Sequence, residues 1–226
     1  MRRDHWHDVG SASKQKVNDG AQGVSTRRLR IISTTEETAR EPDGRRRRSQ
    51  DSRARIVQAM LELVHGGEIS PAAELVATRA NVGLRTVFRH FKDMDSLYRE
   101  MSEVIIAELK AAVDQPFEAP TPHGRVLELV RRRAAAYEKI GPFKRASMAN
   151  RHRSRVLDAD QARFAATARD ILRREAPPEV IRDRLRFEAL DVLLSFETWN
   201  RLRREQKLTP RAAIEVLEFA VAKVLD

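Results

Sequence analysis

The apolar positions of this chain repeat at helical spacing, most clearly between residues 84 and 91. The apolar side chains of this segment are Leu84, Val87, Phe88 and Phe91. They occur at i, i+3, i+4 and i+7, which predicts a short helix with one apolar face. The opposite face is predicted to carry Arg85, Thr86, Arg89 and His90. All of these polar side chains can donate hydrogen bonds to phosphates or to base edges.

A second short helix is predicted just before this one, from Pro71 to about Thr78. Ser70 is the expected N-cap, and Pro71 suits the first helical position because its missing N–H has no partner there. Leu75 and Val76 are the expected core contacts of this helix.

The two helices are joined by residues 79–83, which are too few for anything but a tight turn. Asn81 and Gly83 tolerate left-handed backbone angles, and Val82 can fill the angle between the helices. Two helices joined by a tight turn, with a basic outer face, form the helix–turn–helix pattern of DNA-binding proteins. A helical hairpin with a solvated basic face would give the same pattern.

The segment from Arg55 to Tyr98 resembles the DNA-binding domain of the tetracycline-repressor (TetR) family of transcriptional regulators. The matching run is ANVGLRTVFRHF, residues 80–91, in which turn, core and contact positions share one register. Four positions depart from the family pattern: Asn81, Gly83, Phe88 and Met94 replace the usual glycine, capping hydroxyl residue, tyrosine and lysine. The resemblance implies DNA contacts by Arg85, Thr86, Phe88, Arg89 and His90, and Lys92 is expected to supply the charge missing at Met94.

The rest of the chain also favours helices. They are predicted at about 49–65, 93–113, 122–140, 142–151, 157–175, 178–206 and 210–225. No long window alternates with period two, so the predicted fold is all-α. Residues 49–98 are expected to form a three-helix helix–turn–helix DNA-binding domain. Residues 99–226 are expected to form a helical effector-binding and dimerisation domain, as the family resemblance implies.

Residues 1–48 have no helical stripe and are rich in small, polar and charged side chains, which predicts a disordered basic tail. The tail contains His5 and His7 beside acidic residues, but a flexible segment lacks the fixed geometry of a metal site. The tail ends in Arg45, Arg46, Arg47 and Arg48, which are either solvated or form an arm that contacts DNA phosphates or the minor groove.

The last two predicted helices, 178–206 and 210–225, carry apolar residues on more than one side. A helix that is apolar on two sides must be buried on two sides. A central position in a monomeric bundle would satisfy this requirement. The resemblance favours the other solution, a homodimer in which these two helices pair with their symmetry mates.

Composition narrows the classes of function. The chain has 226 residues and a net charge of +10, which favours an anionic partner. It has no cysteine, which excludes disulfides and thiol chemistry and fits a reducing cytoplasm. No apolar run reaches the length of a membrane span, and no signal peptide is evident. A cytoplasmic protein with no membrane partner is expected.

The motifs of common enzymes are missing from the sequence. It contains no glycine-rich phosphate loop, no nucleophile elbow and no histidine pair at metal spacing, so neither an enzyme, a cofactor nor a metal is predicted. The family resemblance implies a small-molecule effector among the middle helices, in a predominantly apolar pocket that suits a lipophilic or aromatic compound. The candidate lining residues are Tyr137, Phe143, Met148, Phe164, Phe196 and Trp199.

The sequence therefore predicts a DNA-binding transcriptional regulator. By family base rate it is a repressor that binds an inverted-repeat operator as a dimer and is released by a small ligand. Two alternatives from other classes stay open at this stage. One is a helical protein–protein interaction module, and the other is a basic protein that binds anionic lipid surfaces without sequence-specific DNA binding.

Overall fold

The computed structural model describes residues 42–226, apart from the side chains of residues 42, 43, 45, 111 and 112. The predictions for residues 1–41, including those for His5 and His7, lie outside this part of the chain. All regular structure in the described residues is helical. The helices are α1 (Pro42–His65), α2 (Ala73–Arg79), α3 (Leu84–His90), α4 (Met94–Val113), α5 (Pro122–Asn150), α6 (Arg155–Glu175), α7 (Pro178–Arg182), α8 (Arg184–Leu193), α9 (Phe196–Asn200) and α10 (Pro210–Leu225).

The first three helices form a helix–turn–helix unit, here called the head, and the predicted all-α fold is confirmed. Its core, the head cluster, consists of Ile56, Val57, Ala59, Met60, Val64, Val76, Ala77, Ala80, Val87, Phe91, Leu97, Met101 and Ala146. Leu97 and Met101 belong to α4, so the predicted domain boundary at residue 98 falls within a helix that serves the head. Ala146 comes from α5, which brings a later helix into the same core.

The turn between α2 and α3 is a Schellman motif. Asn81 has φ 51°, the left-handed angle that the sequence predicted it to tolerate. The Val82 N–H donates to the Ala77 carbonyl over 3.0 Å, and the Asn81 N–H donates to the Thr78 carbonyl over 3.1 Å. These two bonds satisfy carbonyls that a helix end otherwise leaves unpaired. The motif fixes the direction in which the chain leaves α2.

Helix α2 begins later than predicted, and its N-cap is Ala72, which has no side chain to accept a hydrogen bond. The predicted cap, Ser70, instead donates its hydroxyl to Asn150 Oδ1 of α5 over 3.0 Å. Asn150 in turn donates to the Ile69 carbonyl over 2.8 Å. A tertiary contact between head and α5 has therefore displaced the local cap, which the sequence could not reveal. Leu75, a predicted core residue, is exposed.

Helix α5 runs without interruption from Pro122 to Asn150, with Pro142 inside it. The prediction of two helices divided at this proline was wrong. The residue before a proline is normally pushed out of helical angles by a clash that involves its Cβ. Gly141 has no Cβ, so the helix continues through the proline at the cost of one backbone hydrogen bond.

The single helix predicted for residues 178–206 is instead α7, α8, α9 and a π-helical turn, Arg201–Glu205. The break after α8 leaves the Leu194 carbonyl without a helical donor, because the Thr198 N–H donates to Ser195 Oγ. Tyr137 Oη and Arg133 Nη1 of α5 both donate to the Leu194 carbonyl over 2.9 Å. Side chains from a neighbouring helix thus satisfy the broken end.

Helices α5 to α10 form the body of the molecule. Its core, the body cluster, consists of Val126, Leu129, Val130, Ala134, Tyr137, Ile140, Leu172, Ala176, Val180, Phe187, Leu190, Leu194, Phe196, Trp199, Leu202, Ala213, Leu217, Val221 and Leu225. Residues 42–226 nevertheless form one compact unit, because α4 and α5 contribute to both clusters.

The turn geometry predicts a matched pair of stability changes at Asn81. Replacing Asn81 with alanine should lower the free energy of unfolding by about 1 kcal/mol, because alanine lacks the short polar side chain whose local hydrogen bonding lets asparagine adopt a positive φ. Replacing it with glycine should leave the stability unchanged or slightly higher. Urea denaturation of the full chain measures both changes, and equal stabilities for the two variants would contradict the assigned turn.

Candidate nucleic-acid interface

The outer face of α3 differs from the predicted one by a rotation about the helix axis. The exposed side chains on and just after α3 are Leu84, Arg85, Phe88, Arg89 and Lys92. The buried side chains are Val87 and Phe91, and each is 1% exposed. Thr86 and His90 are half-buried at the edges of the outer face. The exposed surface therefore combines three cations with two apolar side chains.

Phe88 is the largest correction on this helix. The spacing predicted that Phe88 packs in the core with Leu84, but Phe88 is 50% exposed and Leu84 is 37% exposed. Two well-buried side chains, Val87 and Phe91, are enough to attach a helix of seven residues to α1 and α4. The i+4 pair from Leu84 to Phe88 is then free to face outward.

Arg53 of α1 contacts the end of α3, a role that no pattern in the sequence indicated. Its guanidinium donates to the His90 carbonyl over 2.6 Å and lies 4.4 Å from the centre of the Phe91 ring. The same group donates from Nε to Glu100 Oε1 of α4 over 2.7 Å. One side chain thus joins α1, α3 and α4, and it fixes the angle at which α3 is presented.

The His90 imidazole, a predicted DNA contact, is half-buried at the edge of the outer face. Its Nε2 atom is buried and has no hydrogen-bond partner among the described residues. Burial and the nearby charges of Arg89 and Arg53 lower the pKa of His90, while Glu100 acts in the opposite direction. These effects favour the neutral imidazole, and the contact of His90 with DNA stays a prediction.

The four arginines at residues 45–48 lie on helix α1. Helix α1 begins at Pro42, whereas the sequence predicted a start at Ser49, so Arg45 to Arg48 belong to its first turns. The side chains of Arg46, Arg47 and Arg48 are exposed. Arginine is a good helix former, and these arginines directly precede the amphipathic part of α1. Both features account for the earlier start. These cations are carried on a rigid element that also packs into the head.

A second candidate site is a cavity of about 200 Å³ between α5 and the π-helical turn after α9. Three of the six predicted effector contacts, Tyr137, Phe196 and Trp199, line it. Its polar lining comes from Glu138, Arg145, Asn200, Arg203 and Arg204, which the sequence did not single out. The lining is thus more polar than the apolar pocket that the sequence predicted.

The other three predicted contacts, Phe143, Met148 and Phe164, pack against the body cluster away from this cavity. Phe143 also meets His65 of the head, with ring centres 6.3 Å apart. The Phe164 ring lies 4.0 Å from the Lys144 ammonium, which donates to Gln161 Oε1. Burial lowers the pKa of Lys144 to about 8.

An apolar surface covers the outer sides of α8 and α10. Its largest side chains are Leu185, Val192, Val216 and Phe219, of which Leu185 is 81% and Phe219 is 69% exposed. They recur at i and i+7 along α8 and at i and i+3 along α10. Arg186 joins the two helices by donating from Nε to the Val224 carbonyl over 2.8 Å.

Two other kinds of site are absent from the described part of the chain. Within residues 42–226, no three His, Cys, Asp or Glu side chains come together as a metal site would require. No helix in the same range combines the length and apolar character needed to cross a bilayer.

No family model matches the chain, and no curated protein matches it in sequence. The fold does have a counterpart among solved structures. A transcriptional regulator from Rhodococcus sp. Rha1 superimposes with a TM-score of 0.59 at 15% sequence identity, over 78% of this chain and 95% of that one. At this identity the likeness establishes the fold. The chain has the all-α architecture of a helix–turn–helix unit followed by a helical domain.

The burial of His90 predicts a pH dependence of stability. Because its pKa is lower in the folded state, the unfolded chain binds the proton first as the pH falls. The contribution of His90 is therefore complete above about pH 6.5 and declines at lower pH. We expect the His90→Gln variant to lose less stability than the wild type between about pH 7 and pH 5.5 in urea denaturation. An NMR titration midpoint for His90 at or above its ordinary value of 6.5 would contradict this account.

Proposed function

We propose that the protein is a sequence-specific DNA-binding transcriptional regulator, and that it acts as a dimeric repressor released by a small ligand. The observation that carries the proposal is the outer face of α3, which presents Arg85, Arg89 and Lys92 from a helix–turn–helix head. The solved regulator of the same fold supports this reading. The family resemblance of residues 55–98 supports the sign of regulation.

The two kinds of side chain on α3 suit two kinds of DNA contact. Arg85, in the first turn, can donate two hydrogen bonds to a guanine edge, and Phe88 can meet a thymine methyl group. Arg89 and Lys92 lie farther along and suit phosphates, as do Arg46 to Arg48 at the start of α1. Phe88 thus retains the DNA-binding role inferred for it, with an apolar contact to bases as its chemistry.

Dimerisation is supported by the apolar surface on α8 and α10. Leu185 and Phe219 expose most of their side chains to water in a single chain, and a symmetry-related copy would cover them. Two heads related by a twofold axis would place two α3 helices in successive major grooves, about 34–36 Å apart. The operator is then an inverted repeat.

Helix α5 offers a route from ligand to head. Its residues Glu138, Gly141 and Arg145 line the cavity, while Ala146 packs in the head cluster. Its last residue, Asn150, binds the Ile69 carbonyl and the Ser70 hydroxyl in the loop before α2. A shift of this helix on ligand binding would therefore move the loop that leads into the helix–turn–helix.

The DNA-binding proposal predicts different effects for Arg85 and Lys92. With an operator selected from random inverted repeats, Arg85→Ala should cost roughly 1–3 kcal/mol per half-site and relax the base preference at one position. Lys92→Ala should weaken binding to all sequences alike and reduce the salt slope by about one per half-site. Fluorescence anisotropy at several salt concentrations measures both effects.

The matched control is Arg163→Ala, which removes an exposed arginine from α6 outside the head. It should bind the operator like the wild type. The thermal stability of Arg85→Ala and Lys92→Ala should change little, because both substituted side chains are exposed. If Arg85→Ala and Arg163→Ala bind the selected operator equally well, the outer face of α3 does not read DNA.

The dimer proposal predicts that Phe219→Glu yields a folded monomer, because a charge would be buried at the interface. Ile106→Glu is the control, since Ile106 is a 55% exposed apolar residue of α4 outside the proposed interface. Light scattering after size-exclusion chromatography should show a monomer for the first variant and a dimer for the second. A dimeric Phe219→Glu protein would rule out this interface.

A further inference from the structure

The cavity between α5 and the π-helical turn limits the size of any occupant. Its volume is about 200 Å³. An apolar protein cavity of about 150 Å³ accepts benzene, whereas drug-sized ligands require pockets of roughly 300–1,000 Å³. The occupant is therefore about one ring with a small substituent. Tyr137, Phe196 and Trp199 line the cavity with the small parts of their aromatic side chains that remain uncovered, since each is only 2–4% exposed.

The charges that line the cavity do not balance. The Glu138 carboxylate accepts from Arg203 over 2.8 and 2.9 Å and from Trp199 Nε1 over 3.0 Å, so its charge is matched by Arg203. Arg145 and Arg204 also line the cavity. Neither has a carboxylate or hydrogen-bond partner among the described residues. The cavity therefore has a surplus of two positive charges.

Arg145 is placed at the cavity by the backbone of its own helix. Its Nη1 atom lies 3.0 Å from the position that a Cβ on Gly141 would take, so the guanidinium lies close against this glycine. Arg145 is half-buried. Burial and the nearby charge of Arg204 lower the pKa of Arg145, yet an arginine stays protonated. The nearby Glu138 charge acts in the opposite direction, and a bound anion would add a second favourable charge beside this half-buried cation.

The π-helical turn completes the positive wall. It carries Arg203 and Arg204, consecutive residues that both line the cavity. Turns of this kind occur frequently at functional sites. Asn200, just before the turn, has a buried side-chain oxygen without a hydrogen-bond partner among the described residues. Because the two ends of an asparagine amide can exchange by rotation, this group can present either a donor or an acceptor to an occupant.

We propose that this cavity binds a small organic anion, a single ring that bears a carboxylate. The carboxylate oxygens pair with Arg145 and Arg204, and the ring lies against Trp199. Arginine–carboxylate hydrogen bonds are among the stronger ones in proteins, so they select the anion over a neutral molecule of the same shape. An inorganic anion would leave the aromatic wall empty. This proposal names the chemical class of the ligand in the proposed function. It rests on that function only for the view that the occupant is an effector.

The test is isothermal titration of the full chain, without DNA, with benzoate and with benzyl alcohol as the neutral match. Benzoate should bind once per chain, and benzyl alcohol should bind at least tenfold more weakly. Arg145→Met and Arg204→Met should each weaken benzoate binding by about tenfold or more, as expected for a lost charged hydrogen bond. Arg163→Met, which changes an exposed arginine of α6 outside the cavity, should bind benzoate like the wild type.

Absent benzoate binding, equal binding of the two compounds, or unchanged binding by Arg204→Met would overturn the proposal. Arg204 is exposed, so its variant remains informative if Arg145→Met fails to fold by circular dichroism. Operator binding is measured separately on ligand-free protein. Selective benzoate binding without an operator would uphold the anion site and reject the regulator. Operator binding without selective benzoate binding would uphold the regulator and reject the anion site.

Discussion

The continuity of α5 through Pro142 is the constraint on which the rest of the molecule depends. The helix spans 29 residues and contributes Val126, Leu129 and Tyr137 to the body cluster. Beyond the proline it contributes Ala146 to the head cluster. If the helix broke at residue 142, these two sets of contacts would separate. Gly141 makes the continuity feasible, and the Arg145 guanidinium lies close against it.

Charged side chains in the head orient its helices, and they also form its exposed basic face. Arg53, Glu100 and the His90 carbonyl join three helices through one guanidinium. The Arg53 and Glu100 side chains are 41% and 27% exposed, so solvent screens the ion pair and its net contribution to stability is small. Its geometric effect is larger, because bonds to α3 and α4 together restrict how the two helices can rotate. The exposed face of α3 follows from that restriction.

The sequence predicted the parts of the fold that depend on local patterning. The turn at Asn81, the start of α4 near residue 93 and the helix Pro210–Leu225 follow from backbone preference and apolar spacing. It failed where a distant partner decides a local choice. Ser70 forms a bond with Asn150, 80 residues away, in place of capping α2. Such contacts leave no periodic signal in a single sequence.

The candidate site was also predicted only in part, because the sequence shows local patterning but not contacts between distant residues. Arg85, Arg89 and Lys92 lie on the exposed face that their spacing favoured. Phe88 was predicted on the apolar face but is exposed, and His90 was predicted on the exposed face but is half-buried. The i, i+3, i+4 pattern gives the period of a helix, but it leaves the rotation of the helix about its axis undetermined when the helix has only two turns. The aromatic side of the cavity was proposed from the family resemblance. Its arginines were not, since an arginine beside a cavity and one in water look alike in a sequence.

The break after α8 links the cavity to the packing of the body. In a continuous helix the Leu194 carbonyl would accept from Thr198, but Tyr137 and Arg133 take that place. Arg133 is 8% exposed, and burial lowers its pKa, so its hydrogen bonds to carbonyls must offset a large loss of hydration. The arrangement redirects α9 and the π-helical turn toward α5. Arg145 on α5 and Arg204 on the π-helical turn line one cavity, so the polar contacts at Leu194 and the positive lining join the same two parts of the body.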